Sequence, residues 1–193
     1  MNAQPQEKIK MPPEEYLEFE RNSEMKHEYF DGEMFAMTGA SLNHNQINFN
    51  ISGELRSQLK ESPCRAFAND MRIKVQENGK YTYPDIVAVC GDIDLEDDKF
   101  DTLLNPIAIF EILSDSTEAY DRGIKFRHYR LIPSLQEYIL VSQHSCLVEK
   151  YVRGDGGKWI YSSYEGLEQA VQIECINCNL MLSEIYDGIR FEV

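Results

Sequence analysis

Two carboxylates in this chain stand where folding alone would not leave them unattended. In "YTYPDIVAVCGD", residues 81–92, Asp85 heads the apolar run Ile86 to Cys90 and directly follows Pro84. A carboxylate at the edge of a buried strand loses hydration that something else must replace. It is either a turn residue that begins the strand or a ligand held for a metal. In "PIAIFEILS" alternation puts Ile107, Ile109, Glu111 and Leu113 on one face, so Glu111 sits mid-strand among apolar neighbours. Unpaired, it costs several kcal/mol or takes up a proton, so it needs a lysine, an arginine or a metal. If the two strands pair side by side, the two acids converge. An oxygen-rich site of that kind suits Mg²⁺ or Mn²⁺, with water in the remaining positions.

The cation comes from "AYDRGIKFRHYR". Asp121 and Lys125 are four residues apart, with Tyr129 one turn later on the same helix face. With Arg122, Arg127, His128 and Arg130 this is the most basic short segment in the chain. Alone, the Asp121–Lys125 pair reads as a solvated surface pair worth tenths of a kcal/mol. Beside Asp85 and Glu111 it reads as the charge that balances the acids.

The elements that must hold these groups follow from periodicity. "PPEEYLEFERN" predicts a short helix, with Pro and Glu at its start. The Asp31-Gly32 turn between two apolar-rich arms predicts a hairpin. Ile47, Ile51, Leu55 and Leu59 recur every four residues and predict a long helix over about 43–60, capped by Ser41 or Asn43 and ended by Pro63. "MRIKVQ" alternates as a half-buried strand, and "ENGK" turns it back. The segments holding Asp85 and Glu111 read as central strands covered on both faces. The acidic "DIDLEDDKFDTLLN" between them lacks EF-hand spacing and reads as a solvated loop. A second helix follows over about 120–131, closed by Pro133, then three strands and a closing strand or short helix. The order predicts a mixed sheet flanked by helices.

Composition bounds the rest. The 193 residues suit one domain with a proper core. No apolar run approaches the ~20 residues of a membrane helix, and "MNAQPQEKIKMPPEEY" lacks the apolar core of a signal peptide. The expectation is a cytoplasmic protein with no membrane partner. Its five cysteines are an odd number in a chain too long to need stapling. The lone "CINC", Cys175 and Cys178, has no second pair or suitably spaced histidines, and reads as structural rather than zinc-binding. A net charge of −14 disfavours loose binding to a polyanion, so a nucleic-acid partner requires a local basic surface.

From about residue 14 to 153 the chain resembles a known pattern. Pro84-Asp85 followed by an apolar strand carrying Glu111 resembles the PD-(D/E)xK nuclease signature. More narrowly, "DGEMFAMTGA…HNQI", "YPDIVAVCGD", "FEILSDST", "DRGIKFRHYR" and "EYILV" together resemble the Uma-two family, a bacterial group long labelled a domain of unknown function. The resemblance implies an α/β fold (mixed α+β) with a restriction-endonuclease-like core: a central mixed sheet flanked by helices, with an added N-terminal hairpin and C-terminal strands. It would occupy residues 13–193 after a flexible lead over 1–12.

The implied chemistry is Mg²⁺- or Mn²⁺-dependent hydrolysis of nucleic-acid phosphodiesters, DNA foremost. Asp85, Glu111 and the Ile112 carbonyl would hold the metal, with Lys125 completing the catalytic set. Glu33 and His44 match recurrent family positions and are accessory candidates, against a surface hairpin acid and a capping or exposed polar role. Asp121 would position Lys125, and Arg122, Arg127 and Arg130 would face the nucleic acid. A homodimer follows by analogy with nucleases that act on two strands. Two departures stand out: Leu113 occupies the position of the signature lysine, and Asp115 replaces the proline common in relatives. With the net charge, they leave open a weakly active or non-catalytic binding or assembly module on the same fold. They also leave open a buried ion-pair network of Asp85, Glu111 and Lys125 in place of the metal.

Overall fold

The computed structural model describes residues 10–191, so most of the expected lead over 1–12 lies outside the described residues. In chain order the elements are α1 (Pro13–Asn22), β1 (His27–Phe30), β2 (Glu33–Ala36), α2 (Leu42–Gln58), β3 (Cys64–Ala68), β4 (Arg72–Val75), β5 (Lys80–Thr82) and β6 (Ile86–Cys90). Then come β7 (Thr102–Leu103), β8 (Ala108–Leu113), a helix over 118–129, β9 (Glu137–Ser142), β10 (Leu147–Arg153), β11 (Trp159–Glu165), β12 (Ala170–Ile173) and β13 (Cys178–Met181). A helical turn, Leu182–Ile185, closes the chain. No helix among the described residues is long and apolar enough to cross a membrane.

The central sheet has six strands in the order β11–β10–β9–β8–β6–β3. Only β8–β9 is parallel, so the sheet is mixed, as expected. One face, carrying Ile86, Ala88, Ala108, Phe110 and Ile112, packs against Ile47, Ile51 and Leu55 of α2. Each of those aliphatic side chains stabilises the fold by ~1.5–3 kcal/mol through burial. The Ser41 hydroxyl accepts the His44 N–H at 3.1 Å and caps α2. The other face, carrying Val87, Val89, Ile109, Leu113 and Tyr138, packs against Phe126 and Tyr129 of the 118–129 helix.

The N-terminal hairpin is not a separate appendage. It forms a five-stranded sheet, β2–β1–β5–β4–β7, so β1 pairs with β5. Positive φ at Asp31 (50°) and Gly32 (80°) makes its tight turn. β4 is more buried than its alternation suggested: Arg72 is only 2 % exposed, donating to Thr102 and Tyr83 and paired with Asp101. The acidic loop is tied down rather than merely solvated, because Arg21 of α1 bonds Asp97 and Asp101 at 2.6 and 2.7 Å.

Three short strands escaped the periodicity. β3 is "CRAFA", rich in small residues, β7 is two residues within the segment read as a loop, and β12 has a single clear alternation. Missing β3 hid a disulfide, because its register sets Cys64 directly opposite Cys90, and the two are bonded. The expectation of unpaired cysteines is corrected there, since sequence spacing carries no register. Cys146, Cys175 and Cys178 are free thiols.

Candidate functional site

The two strands that carry the acids lie side by side and antiparallel, with Ile86 opposite Phe110. One step further the register sets Asp85 opposite Glu111, on the face that looks toward the 118–129 helix. A second step would set Ile112 against Pro84, which has no N–H to give. The Asp85 carboxylate fills that gap by accepting the Ile112 N–H at 2.7 Å. Main-chain N–H and C=O of one strand residue point the same way, so the Ile112 carbonyl faces the Asp85 side and gains no donor from Pro84. The Pro-Asp pair therefore ends the ladder and leaves two oxygens, one carboxylate and one carbonyl, at the same point.

His44, on the first turn of α2, reaches this point. Its Nε2 lies 3.2 Å from Asp85 Oδ1, while its buried Nδ1 has no hydrogen-bond partner among the described residues. Ser41 supplies the helix cap, so His44 is neither the cap nor an exposed polar residue.

Glu111 is 3 % exposed and bonded on Oε1 by two donors: Lys125 Nζ at 2.8 Å and the Tyr129 hydroxyl at 2.7 Å. Lys125 and Asp121 project from a widened π turn, Asp121–Lys125, within the helix, an irregularity frequent at functional sites. Both are buried, and Lys125 Nζ lies 3.4 Å from Asp121 Oδ1 and 3.7 Å from Glu28 Oε1. The Asp121–Lys125 pair is thus interior, not the solvated surface pair that spacing alone suggests.

Glu28 was not legible as a site residue. It sits on β1 and accepts from the Tyr120 hydroxyl at 2.8 Å, from Lys80 Nζ at 3.0 Å and from the Thr82 hydroxyl. Its sequence signal is that of Glu111, an acid in a short strand rich in aromatics. Lys80 and Thr82 alternate in "KYTYPD" onto the face that meets it.

The electrostatics follow from burial and charge count. With every group ionised, four carboxylates (Glu28, Asp85, Glu111, Asp121) face two ammonium groups (Lys80, Lys125), a formal excess of two negative charges. Burial pushes Glu111 up to about 8, with Lys125 opposing and Asp121 and Asp85 adding to the rise. Burial likewise raises Asp121. For Lys125 burial acts to lower the value, but Glu111, Asp121 and Glu28 outweigh it and hold the ammonium well above its usual range. Glu28 goes down to about 2, since Lys125, Lys80 and two hydroxyls overcome its burial.

This donor set fits a divalent, oxygen-seeking cation. With Glu111 ionised the formal negative excess equals its charge, and Asp85, Glu111 and the Ile112 carbonyl offer hard oxygens. Among the described residues no three His, Cys, Asp or Glu side chains are placed together to hold a metal ion, so the side chains on offer are these two carboxylates. Such a site leaves several positions to water and substrate, as Mg²⁺ prefers.

The remaining candidates are dispersed. Glu33 is exposed at the start of β2. Arg122 is closed by Glu118 at 2.9 Å and by Glu149. Arg127 and Arg130 are exposed, with Arg130 over the Phe126 ring. Asp115 is on the surface, 2.9 Å from His144 Nε2, so its added charge stays outside the cluster.

The chain is similar to several known proteins. A family model described as "Uma2: Putative restriction endonuclease" matches residues 13–183. Two uncharacterized proteins of Synechocystis sp. are similar: slr1290 is 37% identical over 182 residues, 94% of each chain. The other, sll1609, is 35% identical over 152 residues, 79% of this chain and 86% of that protein. A crystal structure of "a putative nuclease belonging to DUF820" from Anabaena variabilis matches with a TM-score of 0.77 over 93% of this chain and 99% of that one, at 16% identity. With its mixed sheet and opposed acids, the chain belongs to the Uma2 family and has a restriction-endonuclease-like fold.

Proposed function

We propose that the chain hydrolyses phosphodiester bonds of nucleic acid, DNA ahead of RNA, with Mg²⁺ or Mn²⁺ held by Asp85, Glu111 and the Ile112 carbonyl. The observation that carries this reading is the opposition of Asp85 and Glu111 beside a buried lysine, in a cluster formally two negative charges in excess when every group is ionised. When bound, the metal lowers the pKa of a coordinated water and stabilises charge on the phosphate.

The chain's own groups do the rest. The Ile112 N–H and His44 Nε2 fix the two oxygens of Asp85. Tyr129 and Lys125 orient Glu111. Lys125 Nζ, kept protonated by its carboxylates, donates to the attacking water or to the oxygen where charge develops. It does so from the helix, which accounts for leucine at position 113. Asp121 and Glu28 position Lys125.

A second reading rests on a specific observation: Lys125 already bonds Glu111 at 2.8 Å and is enclosed by three carboxylates. The cluster would then be an ion-pair network in a binding or assembly module. The deciding experiment is an assay of purified protein with Mg²⁺ or Mn²⁺ on varied DNA and RNA, beside Asp85→Ala and Glu111→Ala. Metal-dependent cleavage lost in both variants is expected. Cleavage that survives both overturns the assignment of these residues.

A further inference from the structure

The sheet edge beside Asp85 carries a surface that the acid–lysine cluster does not use. Among the described residues β3 is the last strand of the central sheet and pairs only with β6. Between β3 and α2 lies a groove of about 780 Å³, lined among others by Arg56, Lys60, Arg65 and Phe67. No acidic residue lines it, in a chain with 33 acidic residues against 19 lysines and arginines. Arg56, Lys60 and Arg65 are exposed, and among the described residues none is engaged in an ion pair or side-chain hydrogen bond. Arg122, by contrast, is already neutralised by two glutamates.

The free edge adds donors. Asn69 N–H bonds the Asp85 carbonyl at 2.8 Å and Gly91 N–H bonds the Pro63 carbonyl at 3.1 Å. These bonds set the alternation, so Arg65 and Phe67 use their main-chain groups toward β6 and the Ala66 and Ala68 amides point out of the edge. The lining of the groove reaches Ala68 and Ile86, and Ile86 adjoins Asp85 in the chain. Ala68 lies opposite Ile86, and the four residue steps from Arg65 to Asn69 span ~13 Å.

We propose that this groove is the track for the backbone of one nucleic-acid strand, with phosphates on Arg56, Lys60 and Arg65 and the strand running on to Asp85. The proposal rests on the nuclease reading above and names the surface that holds the substrate. A second copy of the chain fits the groove poorly. An isologous contact would set the same three cations against themselves.

The test is fluorescence anisotropy with a labelled single-stranded oligonucleotide and its duplex in EDTA, between about 50 and 200 mM salt. Wild type is compared with Arg56→Glu/Lys60→Glu/Arg65→Glu and with Arg127→Glu/Arg130→Glu. The groove variant is expected to bind roughly 10-fold or more weakly, with a salt slope shallower by about 2 units for the single strand. The second variant replaces cations that the sequence placed toward nucleic acid, and it should lose less affinity than the groove variant does. Unchanged circular dichroism and Mn²⁺ affinity establish that the groove variant is folded. Should it not fold, Arg65→Glu alone is expected to lose about one third of that slope change. Unchanged affinity and slope in a folded groove variant overturn the proposal, as does loss confined to Arg127→Glu/Arg130→Glu. A shift in sedimentation without a shift in affinity also overturns it and makes the face a contact between copies. If wild type itself binds no nucleic acid, the nuclease reading falls as well, which separates the two failures.

Discussion

Burial of the Glu111 carboxyl predicts a proton on it at neutral pH in the metal-free protein, with a measurable effect on stability. Its folded-state value is pushed up to about 8 by burial, against about 4.3 in an unfolded chain. The native state therefore binds one more proton than the unfolded state between those values. A group raised on folding contributes stability that is fully present below its unfolded value and is lost as pH rises through its folded one. The slope approaches about 1.4 kcal/mol per pH unit, so from about pH 5.5 to 7.5 the protein loses about 2–3 kcal/mol through this group. Neighbouring groups do not reverse the sign. Asp121 is shifted in the same direction, Lys125 titrates well above the window, and Glu28 at about 2 lies below it. Urea unfolding of wild type and Glu111→Gln in EDTA across this range gives the answer. The difference between the two stabilities should change by about 2–3 kcal/mol, with wild type losing more as pH rises. Parallel curves within ~0.5 kcal/mol would refute the reasoning, because Glu111 would then be ionised in the folded state at all these pH values.

Other outcomes follow from the same cluster. Mn²⁺ binding at pH 7 should release close to one proton, about 0.9 for a group at about 8, read by calorimetry in buffers of different ionisation enthalpy. Lys125→Met leaves Asp121 without its cation, beside a Glu111 that is already protonated, and should cost ~3–5 kcal/mol at neutral pH by urea unfolding. The loss should shrink as the pH falls and Asp121 takes up a proton. Leu55→Ala, in the α2 stripe, should cost ~2–5 kcal/mol while leaving Mn²⁺ affinity unchanged.

What the sequence made legible divides along local and long-range physics. The α2 stripe, the Asp31-Gly32 turn and the two apolar strands were readable because each signal lies within a few residues. The pairing of Asp85 with Glu111 could be anticipated, since two stranded acids have few ways to be compensated. Glu28 and Lys80 could not be joined to them. They lie 52 residues apart in sequence and meet only because β1 adds to β5. β3 was invisible because small residues carry no period, and with it went the disulfide and the basic groove. The arginines of 118–129 looked like a surface because sequence gives their charge but not their partners. Arg122 turns out to be held by Glu149, on a strand 27 residues away.

The central claim is that Asp85 and Glu111 hold a divalent cation. Anomalous diffraction from crystals soaked in Mn²⁺ tests it most directly. The account predicts a manganese peak bridged by the Asp85 and Glu111 carboxylates and the Ile112 carbonyl, absent in Asp85→Ala. A protein that takes up no manganese there, with Lys125 still bonded to Glu111, would contradict it and leave the buried ion-pair network as the reading that stands.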